Sequence, residues 1–326
     1  MSTVLITSRV VGTTVTRPLE MLRAANITIA KNPHLNAGQN LTEDQLIPLI
    51  KGIDGIIVGE DDVTRKVIEA ADCLRVIAKN GVGVNQIDVR AATERGILVT
   101  NTPGANSNAV ADLTFGLMLA VARRIPFSHN ATRQGRWDKF IGAELWRKTL
   151  GIVGVGHIGK GVARRARGFE MKILGYDIVP DEEFACQVGL TYVALETIFR
   201  EADFVTLHVP LLPSTEGLVT RAHLGMMKRT AYLVNVARGG VVSSADVYDA
   251  LVKKELAGAA LDVFEQEPPV GNPLLTLDNI VTTSHIGAFT TESMENMGQT
   301  AAQSVIDVLA GRWPAFPVNP EVFGKS

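Results

Sequence analysis

The sequence predicts an α/β protein built from two doubly wound parallel-sheet domains with a cleft between them. Short apolar runs rich in β-branched residues alternate with amphipathic stretches, the pattern of βαβ units. That alternation runs twice along the chain, and a glycine-rich turn opens the second series. In the first series, strands are expected at 4–7, 27–30, 55–58, 74–78 and 97–100, with helices over 17–25, 43–51, 63–71 and 88–95. Asn101-Thr-Pro-Gly104 then punctuates the chain. A helix over 109–124 follows, so apolar on most faces that it must be buried, either inside the monomer or against another subunit. The second series predicts strands at 149–153, 172–176, 204–208, 231–236, 258–262 and 279–283, and helices over 157–168, 194–200, 244–254 and 290–310. Six strands with crossover helices make one full doubly wound sheet, and the last helix lies beyond it. The C-terminus is therefore expected to return to the first domain, giving 1–104 plus 290–326 as one domain and 105–289 as the other.

Composition narrows the class. In 326 residues, 32 basic and 34 acidic side chains leave a formal net charge of −2, with 46% hydrophobic and 20% charged residues. Such a chain can bury two cores, which excludes disorder, a fibrous repeat and a coiled coil. No Lys/Arg run offers phosphates a basic face, so nucleic acid is not an expected partner. Two cysteines, Cys73 and Cys186, cannot build a disulfide framework, and neither has metal-ligand spacing; they read as packed, reduced thiols. The N-terminus reads as an initiating strand and not as a secretory signal. No apolar run reaches the roughly 18–20 residues of a membrane span. These features point to a cytoplasmic protein with no metal and no membrane partner.

The sharpest motif is Gly154-Val-Gly156-His-Ile-Gly159, which follows an apolar strand and opens a helix. Gly154 suits a tight turn, Gly156 lets a pyrophosphate approach the backbone, and Gly159 lets helix and strand pack closely. Asp177 lies 18 residues beyond Gly159 (177 − 159), at the end of the next strand, where a carboxylate can accept from ribose hydroxyls. A 2′-phosphate would be repelled there, so NAD is expected in preference to NADP. Downstream, Arg238, Glu267 and His285 each follow a strand end, the edge at which parallel sheets bind ligands. Arginine suits a planar carboxylate, and a histidine backed by a glutamate suits proton transfer. Taken singly, each also has a bland reading: a loop-bracing cation, a solvated rim charge and a core histidine.

Together these motifs resemble the D-2-hydroxyacid dehydrogenase family, most closely its phosphoglycerate dehydrogenase branch. The likeness runs nearly end to end, through Lys79-Asn-Gly-Val-Gly83, Asn101-Thr-Pro-Gly-Ala-Asn106, the glycine motif, His208-Val-Pro210, Arg238-Gly-Gly240, Ala260-Leu-Asp-Val-Phe-Glu-Gln-Glu-Pro268 and His285-Ile-Gly287. The resemblance implies an NAD-dependent oxidoreductase with two Rossmann-like domains, the first and last segments binding substrate and 105–289 binding NAD. It implies Arg238 as the substrate carboxylate clamp, His285 as the acid/base and Glu267 as its orienting partner. For the cofactor it implies Gly154, Gly156, His157, Ile158, Gly159 and Asp177; then His208, Val209 and Pro210 near the adenosine. Val236, Ala237, Arg238, Asp262, His285 and Gly287 would lie around the nicotinamide. Substrate would meet Lys79, Gly81, Val82, Gly83, Arg238 and His285.

Three departures qualify the branch. Ser284 precedes His285 where the family usually has proline. Gly59-Glu-Asp-Asp62 is acidic where phosphoglycerate dehydrogenases place an arginine; as a local feature it reads as a solvated loop and helix N-cap. The stretch 134–140 is short and weakly basic, leaving Lys79, Arg136 and Lys139 as candidate phosphate ligands. The expected reaction is hydride transfer between NAD(H) and a small 2-hydroxy or 2-keto acid, first 3-phosphoglycerate. Glycerate, lactate, or a phosphonate- or sulfonate-bearing acid are the alternatives, and an NAD-sensing corepressor-like binding protein is the reading from another class. The resemblance further implies a homodimer through the 109–124 helix and hinges at 101–104 and 288–292; with the chain ending at Ser326, the serine-responsive regulatory domain that many phosphoglycerate dehydrogenases carry is not expected.

Overall fold

The fold is described by a computed structural model covering residues 2–35 and 40–322. The chain divides into two units, 1–106 with 289–326, and 107–288. In the first unit the apolar runs form β1 (Thr3–Ile6), β2 (Thr28–Ile29), β3 (Gly55–Val58), β4 (Val76–Lys79) and β5 (Leu98–Thr100). Between them lie α1 (Arg17–Ala24), α2 (Glu43–Leu49), α3 (Arg65–Ala70) and α4 (Val89–Glu94). All five strands are parallel in the order β2-β1-β3-β4-β5. Both faces of this sheet are covered, which explains why its strands read as unbroken apolar runs instead of alternating. One face packs Leu46, Ile50, Val67, Ile68 and Ala91 against Ile56 and Ile77. The other packs Ala301, Ala302, Val305 and Val308 of the C-terminal helix (Thr291–Leu309) against Val4, Ile57 and Val76.

A single side chain fastens the chain end to this sheet. Asn319, 2% exposed, accepts from the Val99 N–H at 2.7 Å and donates to Ile97 O at 3.0 Å and to Thr93 Oγ1 at 2.9 Å. The Val318 N–H also donates to Val99 O, so residues 318–319 pair along the β5 edge.

The second unit holds α5 (Ser107–Ala122), α6 (Ile125–Arg133), β6 (Thr149–Val153), α7 (His157–Ala166), β7 (Lys172–Tyr176) and α8 (Glu182–Val188). It continues with β8 (Leu190–Tyr192), α9 (Leu195–Glu201), β9 (Phe204–Leu207), α10 (Arg221–Met226) and β10 (Tyr232–Asn235), and ends with α11 (Ser244–Val252), β11 (Gly258–Leu261) and β12 (Ile280–Thr282). Seven parallel strands run in the order β12-β11-β10-β9-β6-β7-β8, one more than the sequence suggests. The added strand, β8, has three residues at the sheet edge with only Leu190 buried, too short to carry a period. The apolar helix α5 is buried within this unit, with Ala111, Phe115, Met118 and Val121 in the core that also contains Val162, Leu150 and Ala260. It stops at Ala122; Arg124, in the left-handed region at φ 53°, redirects the chain into α6.

Two local expectations are corrected. The acidic loop does not cap α3: Thr64 holds the N-cap position, and Asp61 is buried, accepting the Leu41 N–H at 2.6 Å. Cys73 and Cys186 are free, as expected, but both are exposed and not packed. Replacing Asn319 with alanine would strand the Val99 N–H and Ile97 C=O without partners. Urea unfolding should show a loss of about 1–3 kcal/mol, since an unsatisfied buried group costs that much; an unchanged midpoint would refute the tether.

Candidate active site

Parallel strands deliver every strand-to-helix turn to one edge of a sheet, and in the second unit the predicted residues gather there. The strand order reverses between β6 and β9, where Gly154 and His208 meet. Gly154 has φ +94°, and a Cβ on it would lie 2.8 Å from the His208 carbonyl, so only glycine fits this turn. A Cβ on Gly159 would lie 2.1 Å from Gly154 O, which locks the start of α7 against the turn. At Gly156 a Cβ would meet nothing within 4 Å: the backbone faces open space where α7 begins, and a ligand can approach it. Asp177 Oδ2 accepts the Val155 N–H at 2.7 Å and Oδ1 accepts the Val179 N–H at 3.0 Å, fixing the carboxylate beside the glycine turn. Beyond β9, both ring nitrogens of His208 are out of solvent with no hydrogen-bond partner. Burial holds that ring neutral, its pKa lowered to about 3. Val209 lies against Gly154, Pro210 is exposed, and Val236 and Ala237 are buried after β10. An open helix start, a placed carboxylate and unpartnered ring nitrogens fit a dinucleotide.

The Arg238 turn is shaped by Asn235, a buried residue that closes β10. Asn235 Oδ1 accepts the Ala237 N–H at 3.0 Å and its Nδ2 donates to Arg238 O at 2.9 Å. Gly239 then lets the turn touch the next loop, because a Cβ there would sit 1.9 Å from the Phe264 carbonyl carbon. That loop carries Glu267, whose Oε1 accepts the Phe264 N–H at 3.0 Å. Its Oε2 lies 2.7 Å from His285 Nδ1. The bond to Glu267 raises the pKa of His285, against partial burial and the Arg238 charge. Burial acts to raise the Glu267 pKa, but the bonds from His285 and the Phe264 N–H outweigh it and lower the pKa. Arg238 influences both groups, which places all three charges in one neighbourhood.

His285 stands at φ 55°, a left-handed conformation that must be held in place. Asp262, 1% exposed, holds it. Its carboxylate accepts the Thr283 hydroxyl at 2.6 Å, the Ile286 N–H at 2.8 Å and the Gly287 N–H at 2.9 Å, while its carbonyl accepts the His285 N–H at 2.9 Å. Ser284 therefore sits in a segment tied on both sides. A recess of about 610 Å³ lies beside His285 and Glu267, walled by Phe264, Pro268 and Leu275.

His157 and Ile158 open α7 directly after Gly156; the other predicted residues belong to the first unit, apart from two cations. Lys79 ends β4 with its side chain 3% exposed, and Gly81, at φ +156°, turns the chain over it. Arg136 lies in the second unit, exposed and paired with Asp138. Lys139 is exposed in the same segment.

Residues 115–287 match the family described as D-isomer specific 2-hydroxyacid dehydrogenase, NAD binding domain. The chain belongs to that family. It is 46% identical to D-3-phosphoglycerate dehydrogenase of Methanocaldococcus jannaschii over 86% of this chain and 54% of that protein. It is 43% identical to glyoxylate reductase of Korarchaeum cryptofilum over 85% of this chain and 86% of that protein. The crystal structure of a protein from Thermus thermophilus superimposes with a TM-score of 0.88 at 38% identity, over 97% of this chain and 99% of that one. The chain spans about half the length of the phosphoglycerate dehydrogenases it matches.

Within the family's NAD-binding domain, sequence reasoning missed Asn235. Its signal is a polar residue closing an otherwise apolar strand (Tyr232-Leu-Val-Asn235). The Gly159→Ala variant should weaken NADH binding about tenfold or more, or roughly 1.4 kcal/mol. Fluorescence titration of NADH checks it, and an unchanged affinity would mean that the turn does not hold the cofactor.

Proposed function

We propose that this chain is an NAD-dependent dehydrogenase of D-2-hydroxy acids with Arg238, Glu267 and His285 as its catalytic set. The observation that carries the reading is the 2.7 Å His285–Glu267 pair beside Arg238 on the sheet edge of an NAD-binding domain. In this reading residues 107–288 bind the cofactor, and 1–106 with 289–326 bind the rest of the substrate.

The glycine turn and the first N–H groups of α7, at His157 and Ile158, would hold the pyrophosphate, and Asp177 the ribose hydroxyls. His208, Val209 and Pro210 would line the adenosine side, and Val236, Ala237, Asp262 and Gly287 the nicotinamide side. A carboxylate offers about four lone-pair positions. Three at Asp262 are used by the His285 loop, which leaves one for a carboxamide N–H. Bound nicotinamide would supply the hydride in reduction and accept it in oxidation. Arg238 would take the substrate carboxylate in its fork and draw charge from the keto oxygen. Glu267 engages Nδ1 of His285, which leaves Nε2 to give a proton to that oxygen in reduction and to remove it in oxidation. Gly81, Val82 and Gly83 would offer backbone N–H groups to the carboxylate.

Relatives' names support two substrate ends. The phosphoglycerate dehydrogenases support the phosphorylated acid expected from sequence, and the glyoxylate reductase a small unphosphorylated one. A homodimer belongs to the same proposal: α5 is covered within its own unit, but the segment after it exposes Ile125, Trp137, Ile141 and Trp146. A cytoplasmic setting is also proposed, in keeping with two free cysteines. Among the described residues no helix is long and apolar enough to cross a membrane.

The test is NADH oxidation by purified protein with hydroxypyruvate, 3-phosphohydroxypyruvate, pyruvate and glyoxylate. His285→Ala should lower kcat about a hundredfold or more while NADH still binds. No turnover with any acid, with NADH bound, would defeat the enzyme reading in favour of an NAD-responsive binding protein. Reduction needs protonated His285, so its rate should hold below the raised pKa and fall as pH rises through it; oxidation should show the reverse. Glu267→Gln removes the charge that raises that pKa, so both limbs should move to lower pH. A pH–rate profile left in place would exclude Glu267 as the partner.

A further inference from the structure

Lys79 is the one lysine or arginine buried among the described residues, and its charge is already spent. The stem runs under the Gly81 turn, where a Cβ would lie 3.1 Å from Lys79 Cε. Its ammonium donates to Gly59 O at 2.5 Å and to Glu60 Oε1 at 2.7 Å. Glu60 is held from the other side as well, because its Oε2 accepts from Gln86 Nε2 at 3.0 Å. The carboxylate is thus fixed at the carboxyl ends of β3 and β4, beside the Gly81–Gly83 turn, with its side chain 52% exposed. Among the described residues, the other cations on this edge are Arg9, on the loop after β1 and itself partnered, and Lys31, exposed after the outermost strand β2. Three acids, Glu60, Asp61 and Asp62, stand together after β3, and of the three cations on the edge only Lys79 is bonded to Glu60.

We propose that Glu60 is a specificity-determining residue that selects 2-keto acids with an uncharged, hydroxyl-bearing far end and rejects a phosphorylated one. The proposal rests on the dehydrogenase reading given above. An ionised carboxylate only accepts hydrogen bonds, so its open lone pairs suit a substrate hydroxyl. A phosphate dianion brought to the same place meets a like charge, and the ammonium that could offset it is held by Glu60. Gln86 and Lys79 fix the carboxylate from both sides, so it cannot swing away without breaking both bonds.

The experiment compares hydroxypyruvate with 3-phosphohydroxypyruvate in the wild type and in Glu60→Gln, a variant that removes the charge, keeps one oxygen to accept from Lys79, and can keep its bond to Gln86 only if the Gln86 amide turns to accept. The wild type should favour hydroxypyruvate in kcat/KM by about tenfold or more. Glu60→Gln should shift the ratio about tenfold toward the phosphorylated acid, chiefly through KM. A wild type that prefers the phosphorylated acid, or a ratio that moves less than threefold, overturns the proposal. A second readout does not need turnover: quenching of bound NADH fluorescence by D-glycerate and by 3-phospho-D-glycerate. Tighter binding of glycerate that reverses in Glu60→Gln upholds the selection even if no acid is reduced, an outcome that defeats only the dehydrogenase reading. Equal or tighter binding of the phosphorylated acid by the wild type refutes the selection.

Discussion

Because every strand of the second unit runs parallel, all its strand-to-helix turns leave from one edge, and each chemically able residue is positioned by how its turn is tied down. The tie with the most bonds to a neighbouring segment is Asp262. Its buried carboxylate joins the end of β11 to the segment after β12 through three bonds. A buried carboxylate is costly unless its lone pairs are filled, and here the His285 loop fills them. The same bonds hold His285 at its positive φ. Orientation of the histidine thus follows from satisfying a buried charge one strand away.

The three catalytic candidates balance one another. Glu267 favours the protonated histidine, while the Arg238 charge opposes it, and the result is a raised His285 pKa with a lowered Glu267 pKa. Without Gly239, the Arg238 turn could not lie against the 264–267 loop, and the arginine would not share that field. Asn235 adds the complementary constraint by tying the turn to its own strand. Glycine permits the approach, and asparagine fixes where it stops.

Local patterns made most of this legible. The glycine motif, the strand ends and the separate candidacy of Arg238, Glu267 and His285 follow from spacing, because a parallel sheet converts strand order into a common edge. What escaped was either too short or too distant. β8 has three residues and no period, and α6 follows α5 only because Arg124 adopts a left-handed turn. Asn319 meets Val99 across 220 positions, and Lys79 meets Glu60 across 19. Neither partnership has a local signature. The acidic loop misleads for that reason: seen alone, Glu60 to Asp62 look like solvated charges, and only the fold shows that β3 and β4 are neighbours.

That neighbour relation gives Glu60 two roles at once. A lysine 3% exposed needs partners that offset its desolvation, and Lys79 finds one carbonyl and one carboxylate. Removing the carboxylate outright would leave the ammonium to Gly59 O alone, with a cost to the first unit's stability. Selectivity on this edge is therefore coupled to folding: the charge that disfavours an anionic substrate end also compensates a buried cation. Exchange of Glu60 for a residue that welcomes phosphate would demand a second change at Lys79 or a phosphate bound in its place. In that state the ligand itself would supply the missing counter-charge, and binding and stability would rise together.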